Sequence, residues 1–272
     1  AVSVILDIAP DGAIKGHSFH ESVIRSSERF TYEQVQQILD GNGSLRSRYR
    51  KFVADLEVLE RLARLLREKR RERGTIDFDL PEPELTFDAN GLIEGISKAE
   101  RYFSHKMIEE FMIAANVAAA ETLQKARREF LYRVHDEPST EKLDALREVL
   151  ASIAIKFAKG GVASPKRFNS ILKKTADTPH APMVNMMVLR SQAQAEYGPD
   201  NLGHFGLALR RYCHFTSPIR RYADLLVHRA LIDAGGLGQG GLGKSPRDMT
   251  EVGKHLSETE RRAASTERSA VD

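Results

Sequence analysis

The sequence predicts an α+β chain in which helix outweighs strand, and three observations carry that reading. Apolar residues alternate at Val2, Val4, Leu6 and Ile8, the period of a strand with one buried face. Three long stretches, residues 47–73, 104–128 and 140–157, place apolar residues every three or four positions, as amphipathic helices do. Residues 204–209 read as a further strand inside a mostly helical final third. The expected architecture is a curved mixed sheet surrounded by long helices, with the N-terminal hairpin and residues 204–209 contributing strands.

Taken in order, Asp11-Gly12 supplies the turn of a hairpin whose return strand lies within residues 15–24. Thr31 is placed to cap a helix from Tyr32 that carries Val35, Ile38 and Leu39 on one side. Gly41-Asn42-Gly43-Ser44 breaks it. In residues 47–73 the stripe is Phe52, Leu56, Leu59, Leu62 and Leu66, and the basic residues crowding its end suit the helix dipole. Gly74 ends that helix. Residues 75–87 are extended and punctuated by proline, and residues 88–91 form a turn. In residues 104–128 the expected buried stripe is Ile108, Phe111, Met112, Ala115, Ala119 and Leu123. Pro138-Ser139-Thr140 announces the third long helix. Short helical pieces follow through Leu172 and over residues 183–196, then a helix over 217–234 and a last one from Pro246 onward. The glycine-rich residues 235–243 read as a connector, because the strand before and the Lys-Ser/Thr after a phosphate loop are missing.

Composition narrows the class. The 272 residues are 41% hydrophobic and 29% charged, a globular rather than a disordered balance. A net charge of +3 from 41 basic and 38 acidic residues does not announce a nucleic-acid binder; only local clustering could. The single cysteine, Cys213, excludes an intramolecular disulfide and a cysteine-rich zinc site, and fits a cytoplasmic setting. No apolar run approaches the roughly 18–20 residues of a membrane helix, so no membrane partner is expected. The chain opens with Ala1 directly in a strand, as a piece of something longer would; removal of an initiator methionine is the alternative.

The densest polar constellation is HFGLALRRYCHFTSPIRRYADLLVHR, residues 204–229. Within it Ser217-Pro218 reads as a helix start, serine as N-cap and proline at the first helical position. Ile219, Tyr222, Leu226 and Ala230 would then pack inward. Arg220 and Arg221 would sit on the first turn beside free backbone N–H groups, which makes an anion site. A cation set against the helix dipole calls for an anionic partner, and the guanidinium fork matches a phosphate. A salt bridge to Asp224 satisfies the same residues without any ligand. His204, His214 and His228 show no recognisable ligand spacing as a metal trio.

That segment closely resembles the signature of the RNase II/RNase R exoribonuclease family. RRERGTIDFDLPEPEL (residues 70–85), SHKMIEEFMIAANVAAAETL (104–123), YRVHDEPSTEKLDALREVL (132–150) and SETERRAASTERSAVD (257–272) resemble further family segments in family order. IDFDLPE and SPIRRYADLLVHR are closer to the RNase R branch. The resemblance implies an RNB-type catalytic domain and processive, Mg²⁺-dependent 3′→5′ hydrolysis of single-stranded RNA to nucleoside 5′-monophosphates. It also implies site roles. Arg220 matches the arginine that grips the phosphate near the scissile bond, with Arg221 and Ser217 beside it. Tyr32 and Glu109 match residues that contact the ribose and select RNA, since a carboxylate can accept from a 2′-hydroxyl that DNA lacks. Phe78 matches an aromatic that stacks on a base, and Glu267 a glutamate near the substrate's 3′ end. Without the family, Tyr32 is an ordinary helix residue, Glu109 a solvated charge, Phe78 core, and Glu267 one charge on a generic helix.

The chain also departs from the family. Nothing in it resembles the family's aspartate cluster of the Asp-x₅-Asp-x-Asp-Asp type, which holds Mg²⁺. Residue 1 aligns roughly 100 residues into the family's domain, an interval within ordinary domain sizes. The Mg²⁺ ligands are therefore expected upstream, in an N-terminal part of the catalytic domain that could be a separate chain. No complete cold-shock or S1 domain is expected either. The chain alone is expected not to hydrolyse RNA. Two other readings remain open at this point: a non-catalytic RNA-binding protein descended from the same family, and a helical protein-interaction module.

Overall fold

The expected hairpin forms at the N-terminus, where β1 (Val2–Ile8) pairs antiparallel with β2 (Ile14–Glu21) in a register running from Val2↔Glu21 to Ile8↔Ile14. Its Val2, Val4 and Phe19 pack on the core, while Ile5, on the other face of the pleat, is exposed. The computed structural model describes every residue except 77, 79–82, 99, 158–162, 243–247 and 272. Thr31 caps α1 (Tyr32–Leu39) in a reciprocal box: the Gln34 N–H donates to Thr31 Oγ1 at 3.1 Å, and the Thr31 N–H donates to Gln34 Oε1 at 3.0 Å.

The helix expected over residues 47–73 is two helices, α2 (Gly43–Arg48) and α3 (Arg50–Arg73). Asn42 caps the first of them, and the break between them at Tyr49 buries that ring against Phe30. Gly74, at φ 96°, closes α3 in the left-handed region that favours glycine. Then β3 (Pro83–Phe87) and β4 (Ile93–Lys98) form a second hairpin about the expected turn, where the Asp88 carboxylate accepts the Asn90 and Leu92 N–H groups.

Next come α4 (Phe103–Lys125), β5 (Tyr132–Val134), α5 (Thr140–Ser152), α6 (Pro165–Thr175), α7 (Ala181–Ser191), β6 (Glu196–Gly198), α8 (Tyr222–Gly235) and α9 (Met249–Val271). The β5 strand pairs antiparallel with β6, a long-range pairing that no local pattern announced. Among the described residues, the sheet thus takes the form of three two-stranded antiparallel ribbons within a helical body. The α+β class and the predominance of helix hold.

Three local expectations are corrected. Residues 204–209 are not a strand but a tight loop, closed by the His204 N–H on the Leu209 carbonyl at 2.8 Å and the Leu209 N–H on the His204 carbonyl at 3.1 Å. The loop folds onto His135. The Gly206 N–H donates to His135 Nδ1, and a Cβ at Gly206 would stand 2.9 Å from that nitrogen. The last helix before the glycine-rich loop starts at Tyr222, not Ser217, so Ile219 is fully exposed at 102% while Leu226 and Ala230 are buried as expected. On α4, Ile108 and Met112 face solvent, and Met107 at 2% is buried in their place.

That helix α4 is the centre of the fold. It touches α1, α3, α8 and β1. Ala118, Ala119, Ala120 and Leu123 are all at or below 2% exposure. Alanine removes the side-chain bulk that would hold neighbours apart, so four elements close on one helix.

Candidate nucleic-acid interface

The turn between residues 217 and 221 is built on one carboxylate. Asp224, fully buried on the first turn of α8, accepts the Ser217 N–H at 2.7 Å, Arg221 Nε at 2.8 Å and Arg221 Nη2 at 2.9 Å. The Ser217 N–H and two of the Arg221 donors are therefore committed to the turn. The Arg221 and Arg220 N–H groups donate to the Ser217 carbonyl at 3.1 and 3.3 Å, which completes the turn. Arg220 differs from its neighbour: it is exposed, and its guanidinium has no ion pair or hydrogen bond among the described residues.

Behind this turn, the segment leading into it is fastened to α4 through Asn116, which is 3% exposed. Asn116 Nδ2 donates to the Tyr212 hydroxyl at 2.9 Å, and its Oδ1 accepts the Phe215 N–H at 2.8 Å. Asn116→Ala leaves that N–H buried without a partner. It is expected to lower unfolding free energy by about 2–3 kcal/mol in a urea titration; a loss within error would mean the segment is held elsewhere.

The signature histidines are buttresses. His214 Nδ1 is hydrogen-bonded to the Tyr197 hydroxyl at 2.8 Å, His204 Nδ1 accepts the Leu207 N–H at 3.2 Å, and His228 Nε2 donates to the Phe215 carbonyl at 2.7 Å. Burial, with the Arg221 and Arg133 charges next, drives the His214 ring down to about 2. Burial, then His135 and Arg133, drives His204 down to about 3. Both are neutral rings packed among aromatics. Among the described residues no group of three or more His, Cys, Asp or Glu could hold a metal ion.

Glu109 lies further toward the N-terminus of α4. It accepts Arg70 Nη1 at 2.7 Å on one oxygen and Arg101 Nη2 at 2.8 Å on the other. Burial alone would raise its pKa, but the two arginines outweigh it and hold the carboxyl below its ordinary range. Each carboxylate oxygen keeps a lone pair for a further donor. Tyr32, the first residue of α1, is 45% exposed and stacks on His105 of α4, with ring centroids 4.0 Å apart and planes 22° from parallel. One helix face thus organises the site. His105, Glu109, Met112 and Asn116 follow one another at four-, three- and four-residue spacing over roughly 16 Å of α4. Burial raises the Tyr212 phenol above its ordinary range.

The structure brings Tyr32, Glu109 and, through Asn116, the Ser217–Arg221 turn onto this helix. Phe78 stands apart from it. Phe78 is half-buried and packs against a second core cluster with Phe168 and Phe205, while the neighbouring Ile76 N–H is held by the Gly206 carbonyl. Glu267 is exposed on α9, beyond the ion pairs Arg133–Glu260 and Arg261–Glu196 that anchor that helix, and makes no ion pair among the described residues. A separate groove of about 1000 Å³ lies between β2 and the C-terminal half of α4, lined in part by Lys15, His17, Lys125 and Arg211; none of the predicted site residues lines it.

Sequence reasoning passed over Asn116 and His105. Their signals were a polar residue in the middle of an alanine-rich face, and an imidazole one turn before a carboxylate.

The family model described as the RNB domain matches residues 1–234. The chain belongs to the RNB family. Among curated relatives, this RNB chain is 41% identical to Ribonuclease R of Escherichia coli over 98% of its length and 34% of the relative's. It is 40% identical to Ribonuclease R of Aquifex aeolicus over 100% of its length and 39% of the relative's. The RNB chain therefore spans little more than a third of the curated relatives it matches. It also superposes on RNase R of Mycoplasma genitalium in complex with ribose-methylated single-stranded RNA, with a TM-score of 0.86 and 26% identity over 99% of this chain and 43% of that one.

Proposed function

We propose that this chain supplies the RNA-holding face of a 3′→5′ exoribonuclease. Such an enzyme processively hydrolyses single-stranded RNA to nucleoside 5′-monophosphates in the cytoplasm. Arg220 presents an exposed guanidinium without a protein partner among the described residues, on a turn pinned by buried Asp224. A cation carried on a pinned turn, with no partner among the described residues, is suited to a phosphate oxygen, and stabilising charge at that oxygen is a large part of phosphodiester chemistry. Glu109, held anionic by Arg70 and Arg101, is suited to accept a ribose 2′-hydroxyl beside the Tyr32 ring. Phe78 and Glu267 keep their family-implied roles, base stacking and contact near the 3′ end, as part of the same proposal. RNase R of Mycoplasma genitalium, which shares the fold, has been seen with single-stranded RNA.

The described residues do not offer a group that fits a metal ion. Mg²⁺ is assigned to carboxylates outside these 272 residues, in the remaining part of the catalytic domain, present as the same chain or as a separate one.

The test is binding. Labelled single-stranded RNA titrated with the 272-residue chain in Mg²⁺ should bind in a salt-sensitive manner without being degraded. Arg220→Ala should weaken binding by roughly tenfold or more, the worth of one charge-assisted hydrogen bond. It should also reduce the slope of log K against log salt by about 0.7. Affinity that ignores both salt and Arg220 would sink the proposal.

A further inference from the structure

We infer that His105 is the positioning residue for RNA selection, holding the Tyr32 ring in the orientation that meets a ribose. This rests on the role proposed above for Tyr32 and Glu109. The backbone around Tyr32 is fixed without the imidazole. The Thr31–Gln34 capping box sets the start of α1, the Ser104 hydroxyl donates to the Tyr32 carbonyl at 2.7 Å, and the Ser104 N–H donates to the Gln36 side chain at 3.2 Å. None of those bonds restrains the Tyr32 side chain. Tyr32 is 45% exposed, and among the described residues the ring stacked on it is His105, at 4.0 Å and 22°.

The imidazole is itself set by a further ring, Tyr102, stacked at 5.7 Å and 20°. His105 therefore stands in an aromatic column one helical turn before Glu109, so the ring stacked on it and that carboxylate lie along the same face of α4. Its chemistry shows what the residue is used for. Among the described residues the His105 ring makes no hydrogen bond, and its Nδ1 is buried. A histidine kept for a structural hydrogen bond would have satisfied that atom. The flat ring is what the site uses, and phenylalanine should replace it.

The experiment compares affinities of the 272-residue chain for single-stranded RNA and DNA of one base sequence. His105→Ala should lower the RNA-to-DNA affinity ratio by roughly two- to tenfold, the worth of one stacked aromatic pair. His105→Phe should keep the ratio near that of the parent, and His105→Gln, polar but without a ring, should behave as alanine does. A merely structural role would weaken both nucleic acids together and leave the ratio unchanged. Tyr32→Ala is the control for the underlying role. If it lowers the ratio while His105→Ala does not, or if His105→Phe falls as far as His105→Ala, the positioning inference is overturned and the role of Tyr32 stands. If the parent chain shows no preference for RNA, or Tyr32→Ala leaves the ratio intact, the role of Tyr32 fails and the inference fails with it.

Discussion

Replacing Asp224 with alanine is expected to cost about 3 kcal/mol of unfolding free energy and to abolish most of the RNA affinity. The carboxylate is fully buried and accepts three hydrogen bonds, one from the Ser217 backbone and two from Arg221. Its removal leaves a guanidinium that is only 22% exposed without its counter-charge, and a backbone N–H without an acceptor. Breaking a buried pair by deleting one partner typically costs about 3–5 kcal/mol, and the partial exposure of Arg221 places this case at the lower end. The functional loss follows from position. Arg220 lies within the turn that Asp224 closes, so unpinning the turn releases the cation proposed to grip phosphate. Urea unfolding and RNA titration of the same variant check both parts. Asp224→Asn, which keeps one acceptor oxygen, should fall between the two. A loss below about 1 kcal/mol for the alanine variant would show that the turn is held by something else.

Stability is also expected to fall between pH 6.5 and pH 5, by at least about 2 kcal/mol, through two histidines that stay neutral in the fold. Burial holds His214 down to about 2 and His204 down to about 3, while an unfolded histidine titrates near its ordinary 6.5. Below 6.5 the unfolded chain takes up protons that the folded chain refuses, so acid favours unfolding. The loss grows as pH falls and levels off only at the folded-state values. Burial lowers His135 and His228 in the same direction. The window separates these rings from the carboxylates, because Glu109, held below its ordinary range, loses its contribution only at lower pH. Unfolding free energy measured by denaturant at half-unit pH steps tests this directly. A flat profile from 6.5 to 5 would mean the two rings take up protons in the folded protein as readily as in the unfolded chain.

Local chemistry was legible wherever a residue's partner lies a few positions away. The Thr31 cap, the Asp88 turn and the Gly74 stop all formed as read, because each is decided by backbone geometry within one turn. The misreadings share one cause. Ser217-Pro218 carries the chemistry of a helix start, yet the Ser217 N–H is claimed by Asp224 from seven residues on, and the helix waits until Tyr222. Residues 204–209 alternate as a strand would, but His135 draws Gly206 into a loop across 71 residues. Ile108 and Met112 fit a buried stripe, and only the directions from which α1, α3 and α8 approach α4 left them outside.

The sequence by itself determined the helical predominance, the first hairpin and the family. Period and capping are properties of neighbouring residues, and the signature segment survives as a string. Only the tertiary structure decided that of two adjacent arginines Arg221 pairs with Asp224, while Arg220 has no partner among the described residues. Only it showed that His105, Glu109 and Asn116 line one helix face. Those outcomes depend on which charges and rings are buried together, and burial is set by contacts between elements far apart along the chain.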